Sequence, residues 1–232
     1  MQRQLIHSWF AAGFQPVSLN TASELNTHPR HRFALEAEGV EVLEVPSSNR
    51  EFPAYLPNLA CSLHLAVQRF PGEVLAITNA DILFDLHHTT TGMLGRLPKD
   101  RFLLAHRCDV SDRSLIQHGA TDRRLVEPRP FLPGIDFVAA CSEAFAAALP
   151  FLGEDLTIGL PWWDLLLPIA LFAAGATSQH LDSFQFLHLM HEDRWDVQWL
   201  DRVGASATKH LNATIAGYKA PVTAFIWSLA FQ

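Results

Sequence analysis

The stretch Glu73-Val-Leu-Ala-Ile-Thr-Asn-Ala-Asp-Ile-Leu-Phe-Asp85 decides how the rest of the chain is read. Val74 to Thr78 is short, nearly all apolar and partly β-branched. That composition suits a strand buried on both faces. It runs straight into Asn79-Ala80-Asp81, an amide and a carboxylate separated by one alanine. Ligands of open α/β sheets collect at the carboxyl ends of the strands. A hard divalent cation prefers oxygen donors, which Asp81 and Asn79 offer without a dedicated cage. A strand followed by an Asx-type turn is the competing reading of the same residues.

Outward from this stretch, helix and strand patterns alternate. Residues 2–12 have Leu5, Ile6, Trp9 and Phe10 on one helical face, with Gly13 as the C-terminal stop. Residues 16–19 and 40–45 read as strands, and Thr21-Ala-Ser-Glu24 has the spacing of a capping box. A second short helix runs to Glu38, and residues 46–55 read as loop. Leu56 to Phe70 carries the amphipathic stripe Leu59, Leu63, Val67, Phe70. Beyond the central strand, the pattern predicts a helix at 89–97 and strands at 102–105, 135–140 and 184–189. It also predicts helices at 142–149, at 161–174 (where Pro168 should kink or split it) and over 197–215. Such alternation implies a mostly parallel sheet flanked by helices, with the 74–78 strand interior and Asn79 and Asp81 at its carboxyl edge. Residues 107–133, with five arginines, three prolines and no sustained period, read as a long surface loop.

Composition narrows the classes. The 232 residues suit one α/β domain or two small ones. With 17 basic against 24 acidic residues, net charge −7, there is no surplus of cations for generic nucleic-acid binding. Cys61, Cys108 and Cys141 are far apart and odd in number, so they suggest neither a metal spacing nor a disulfide framework, and a reducing, cytoplasmic setting is expected. No apolar leader follows the opening Met-Gln-Arg-Gln. Leu160 to Ala176 contains Asp164 and is short for a membrane span, so it reads as a buried helix. Pro221 to Phe231 can pack on the core or touch a membrane surface. Neither GxGxxG nor GxxxxGK[ST] occurs, which disfavours dinucleotide and P-loop readings.

Four segments could carry chemistry. Asn79-Ala80-Asp81 is the first. In Gly134-Ile135-Asp136-Phe137 an acid stands at the start of an apolar strand, where a carboxylate needs a partner or a task. Ile158-Gly-Leu-Pro-Trp-Trp-Asp164 places two indoles and a carboxylate in the first turn of an apolar helix, where Asp164 also suits the helix dipole. His188-Leu-Met-His191 puts two imidazoles just past a strand, a spacing that structural histidines share.

In chain order these four segments resemble nucleotide-sugar transferases of the GT-A fold, and within them a group of bacterial glycosyltransferases with NADI, GIDF, IGxPxWD and HxxH motifs. Gln4-Leu-Ile-His-Ser-Trp9 is similar to that group's first helix. The likeness spans about residues 3 to 196. It implies a single GT-A-like domain over 1–232, with a nucleotide-binding half (1–106), the 107–133 loop and an acceptor-side half (134–232). It implies metal-dependent transfer of a sugar from a nucleotide-sugar donor to a glycan or other hydroxyl acceptor. By the same likeness, Asp81 and Asn79 hold Mn²⁺ or Mg²⁺, completed by His191 or alternatively His188. Asp164 serves as general base, and Asp136 binds a sugar hydroxyl or the acceptor. Trp162 or Trp163 stacks on a sugar, and Arg123 and Arg124 engage phosphate. Two departures stand out: the strand that opens a GT-A fold is missing or replaced, and Asn79 stands where the metal-binding DxD-type motif of GT-A enzymes has its first acid. Both leave room for a weakened member or a non-catalytic sugar- or partner-binding domain of a surface-polysaccharide system. A metal-dependent hydrolase using the same acids and histidines is a third expectation.

Overall fold

The computed structural model describes residues 2–46, 56–86, 88–110, 135–153, 156–160 and 162–189. Helix α1 (Gln2–Ala11) ends at Gly13, whose φ of 87° is the left-handed conformation that favours glycine. Strand β1 (Val17–Thr21) and strand β2 (Glu41–Val45) form a two-stranded parallel sheet, joined by helices α2 (Ala22–Thr27) and α3 (Pro29–Ala37). Half of the expected capping box forms: Thr21 Oγ1 accepts the Glu24 N–H at 3.3 Å, while the Glu24 carboxylate accepts from Asn20 instead. Helix α4 (Leu59–Arg69) is capped by Asn58, whose side chain accepts the Cys61 N–H. Then follow β3 (Val74–Thr78), β4 (Ile82–Phe84), α5 (His88–Leu94), β5 (Arg101–His106) and β6 (Cys108–Val110). The remaining elements are β7 (Ile135–Cys141), α6 (Ser142–Ala148), α7 (Trp163–Ala173), β8 (Thr177–His180) and β9 (Phe186–Leu189).

The chain is α/β, with mixed sheets and flanking helices. One sheet has the order β3-β7-β5-β8 and another β4-β9-β6. The mostly parallel sheet expected from the alternation is therefore met only in part. β1–β2, β5–β8 and β6–β9 are parallel, whereas β3–β7, β5–β7 and β4–β9 are antiparallel. β7 runs against both of its neighbours, a direction that apolar composition does not encode. A second correction concerns β3. It matches the predicted bounds but lies at the edge of its four-stranded sheet, with only Ile77 buried. Within this sheet the strand buried at every position is β7, between β3 and β5.

On one side β7 packs with Phe102, Leu104, Phe145, Leu167 and Ala170. On the other, Phe137 joins Phe84, Phe186 and Phe14 in a ring cluster. Phe137 and Phe186 lie with ring centroids 4.6 Å apart, Phe84 and Phe137 5.4 Å apart and nearly perpendicular. These rings bind β4, β7 and β9 together. Helix α1 fastens β4 from outside: Trp9 Nε1 donates to the Ile82 carbonyl at 2.8 Å, and Ser8 Oγ accepts the Phe84 N–H at 3.1 Å.

Further corrections are local. Cys108–Val110, expected inside the long loop, is a strand paired with β9. Three residues show no readable period, and their pairing is a tertiary event. β4 and β8 escaped the sequence pattern for the same reason. Helix α7 continues through Pro168 unsplit. Residues 111–133 of the expected loop, the helix over 197–215 and the stretch 221–231 lie outside the described residues.

Candidate functional site

The chain crosses from the four-stranded to the three-stranded sheet at three places. β3 passes to β4 through Asn79–Asp81, β5 to β6 through Arg107, and β8 to β9 through residues 181–185. Charged side chains gather at this seam.

Strand register builds one row of it. In β4-β9-β6, His188 stands opposite Ile82 on one side and Asp109 on the other. Alternation along β6 and β9 sends Cys108, Val110 and Leu187 into a cluster with Leu5 and Leu83 and leaves Asp109 and His188 on the opposite face. The imidazole meets two carboxylates, Asp109 Oδ1 from Nδ1 at 2.8 Å and Asp81 Oδ2 from Nε2 at 3.4 Å. Burial works against a charged ring here, but hydrogen bonds to Asp109 and Asp81 outweigh it and push His188 up to about 9. At neutral pH the ring is an imidazolium that donates on both sides.

A β-bulge supplies the next group. Ala105 pairs with Phe137 and His106 with Ile135, so Asp136 is the extra residue of β7 against β5. The core shows the same break in alternation: Ile135 packs on the face of Val138 and Ala140 rather than with Phe137 and Ala139. The bulge frees Asp136, which is only 2 % exposed, to face the seam. Its Oδ1 accepts from the Asn79 amide, and its Oδ2 has Arg107 Nη1 at 3.5 Å but no hydrogen bond. Burial raises the Asp136 pKa, Arg107 opposes the rise, and the charge on Asp81 adds to it.

Asp164 completes the cluster. It sits in the first turn of α7 behind Trp162, whose φ of 82° makes it the one non-glycine residue in left-handed conformation among the described residues. That conformation costs about 1–2 kcal/mol. Pro168 has no N–H to return to the Asp164 carbonyl, so this helix turn is bonded less fully than an ordinary one. Asp164 as a residue keeps some exposure, yet its carboxyl lies deep, and burial first and then the Asp136 charge push it up to about 7. The backbone N–H groups of Leu165, Asp164 and Ile135 partly offset this.

Of the residues singled out in the sequence, Asn79, Asp81, Asp136, Asp164 and His188 come together. Trp163, expected to stack on a sugar, is 3 % exposed and packs in the core; Trp162 is the half-exposed indole of the pair. His188 was expected as an alternative metal ligand, but it stands as an ion-pair partner with both ring nitrogens engaged. Asn79 uses its amide nitrogen on Asp136. His191, Arg123 and Arg124 lie outside the described residues. Sequence reasoning missed Arg107 and Asp109. The signal available was the charged pair Arg107, Asp109 flanking Cys108 at the end of a buried strand. An open hollow lined by Glu24, Thr27, His28, Pro29, Arg30 and His31 shares no residue with this cluster.

Chemically, the cluster sets Asp81, Asp109, Asp136 and Asp164 against Arg107 and His188. Carboxylates in excess of cations in a partly dry site must take up protons or another cation; the Asp136 and Asp164 pKa are raised first by burial, to which the neighbouring carboxylate charge adds. The donor chemistry, carboxylate and amide oxygens, fits a hard divalent ion. Among the described residues no three His, Cys, Asp or Glu side chains are placed to hold one together. Among the described residues no helix is long and apolar enough to cross a membrane. No family model matches the chain, and neither does any curated protein sequence.

Proposed function

We propose that this protein is a cytoplasmic, metal-dependent glycosyltransferase of GT-A type that moves a sugar from a nucleotide-sugar donor to a hydroxyl acceptor. The observation that carries this reading is the gathering of Asp81, Asp136 and Asp164, from three separate segments, at one seam. In this reading Asp81, Asn79 and Asp136 offer the oxygens that hold Mn²⁺ or Mg²⁺. The bound ion supplies charge stabilisation for the diphosphate leaving group. Asp164, pushed up to about 7, is basic enough to accept a proton from an acceptor hydroxyl near neutral pH. Trp162, half-exposed beside it, offers a face for a sugar ring.

A second reading, a non-catalytic GT-A-like domain binding a sugar or a protein partner, is favoured by one observation. Arg107 and His188 already stand against Asp136 and Asp81, the carboxylates that an ion would need. Calorimetric titration separates the two. UDP or a related nucleotide should bind more tightly with Mn²⁺ present, and Mn²⁺ more tightly with nucleotide, by the same factor. Asp81→Asn should abolish the coupling and leave the fold intact. A wild type that binds no nucleotide with metal in excess puts the non-catalytic reading first.

A further inference from the structure

We infer that Asp109 is a positioning residue of this site: one carboxylate that fixes Arg107 and His188 together, so that the guanidinium faces Asp136 and the imidazole faces Asp81. Asp109 Oδ1 takes Arg107 Nε at 3.0 Å and His188 Nδ1 at 2.8 Å. Each cation then reaches on to a different acid, Arg107 Nη1 to Asp136 Oδ2 at 3.5 Å and His188 Nε2 to Asp81 Oδ2 at 3.4 Å. Asp109 therefore touches neither of the acids given ligand roles above, yet it lies one cation away from both.

Three features favour a built arrangement. Asp109 and His188 are register partners in a parallel ladder, so backbone pairing sets them opposite one another. Their side chains are 11 % and 5 % exposed, so water competes little for the bond. The flanking Cys108, Val110 and Leu187 are buried against Leu5 and Leu83, which locks the strands in that register. A one-residue slip would turn Asp109 into the apolar cluster, where its charge has no partner. Arg107 gains most from the clamp: its side chain is 34 % exposed and it lies between strands, and a guanidinium tied at one edge loses much of its rotamer freedom.

The inference rests on the seam being the ligand site proposed above, and its test has a readout that does not need ligand. In the wild-type protein, NMR should find the Arg107 Nε–H and His188 Nδ1–H in slow exchange with water. In Asp109→Asn both should exchange at least tenfold faster. Glu143→Gln, which breaks the separate Lys99–Glu143 pair, should leave both unchanged. Asp109→Glu, which keeps the charge, should restore slow exchange at one of the two protons or both. Where the wild type couples UDP to Mn²⁺, Asp109→Asn should lower that coupling at least tenfold while Glu143→Gln does not. Unchanged exchange in Asp109→Asn overturns the clamp, and so does undiminished coupling where exchange has risen. If the wild type binds no nucleotide, the glycosyltransferase reading fails while the exchange rates still decide the clamp. Should Asp109→Asn not fold, Asp109→Glu carries the test: restored or retained protection at Arg107 and His188 supports the clamp, and loss of both with the fold retained overturns it.

Discussion

β7 and the seam at its amino end differ within the span of two residues. From Phe137 to Ala140 the strand is fully buried and apolar, held by rings on one side and by α6 and α7 on the other. At Asp136 the ladder with β5 bulges, and a buried carboxylate faces an amide and a guanidinium. The first region gains free energy by removing surface from water, about 25 cal/mol per Å² of apolar area. The second loses hydration for every charge and recovers it only through partners. A region organised for stability alone would have replaced the second with more of the first. The contrast therefore teaches where function is to be sought: at the place where the packing rules are broken and the breach is held open by register, a bulge and a left-handed Trp162.

That comparison breaks first at Phe137. Phe137→Ala removes the ring that joins β4, β7 and β9 and should cost about 3–5 kcal/mol in urea unfolding. A loss below about 1 kcal/mol would mean that the ring cluster does not hold the seam together.

The next effect is a pH dependence to which the seam contributes through Asp164 and His188. Asp164 has a folded pKa of about 7, above its ordinary 3.8, so the folded state keeps its proton longer than the unfolded chain. Its contribution is most favourable below pH 4, falls as pH rises towards 7 and is level beyond. His188 is raised to about 9 from 6.5, so its contribution is intact below pH 6.5 and is lost as pH rises through 9. Stability should thus decline across both windows, by on the order of 1 kcal/mol or more in each. Asp164→Asn should shallow the decline in the lower window, to which the raised Asp136 also contributes, and His188→Gln should flatten the upper one, read by denaturant unfolding at stepped pH. If both variants keep the wild-type slopes, the seam acids and imidazole are not buried as described.

Polar groups far from the seam should behave as ordinary local increments. Thr21→Ala removes the cap that accepts the Glu24 N–H and should cost about 1 kcal/mol, with no change in either pH window. Arg32→Ala breaks an exposed i,i+4 pair with Glu36 and should cost no more than about 0.5 kcal/mol, vanishing in high salt. A larger value at Arg32 than at any seam charge would reverse the contrast drawn above.

Much of the fold was legible because its elements are long enough to show a period. α1, α4, β2, β3 and β7 lie within a few residues of their expected bounds, since each carries an apolar stripe or run of its own. β4, β6 and β8 were not legible, being three or four residues long and defined by what they pair with. Of the site, Asp81, Asp136 and Asp164 were legible because each is an acid abutting an apolar run, an anomaly visible without coordinates. Asp109 and Arg107 were not, because their segment resembles a charged loop until β9 is laid beside it.

The sequence by itself determined the α/β character, the apolar segments that must be buried, and the acids that such burial makes expensive. These follow from composition and period, which act on each segment separately. Only the tertiary structure decided that β7 rather than β3 is the buried central strand, that its partners run against it, and that Asp136 lies in a bulge. It likewise decided that His188 is a cation between Asp81 and Asp109, and that Trp163 is buried while Trp162 is half-exposed. The physical reason is common to all of these. Strand direction, register and ion pairing are energies between segments distant in sequence, and they acquire a value only when the segments are brought together.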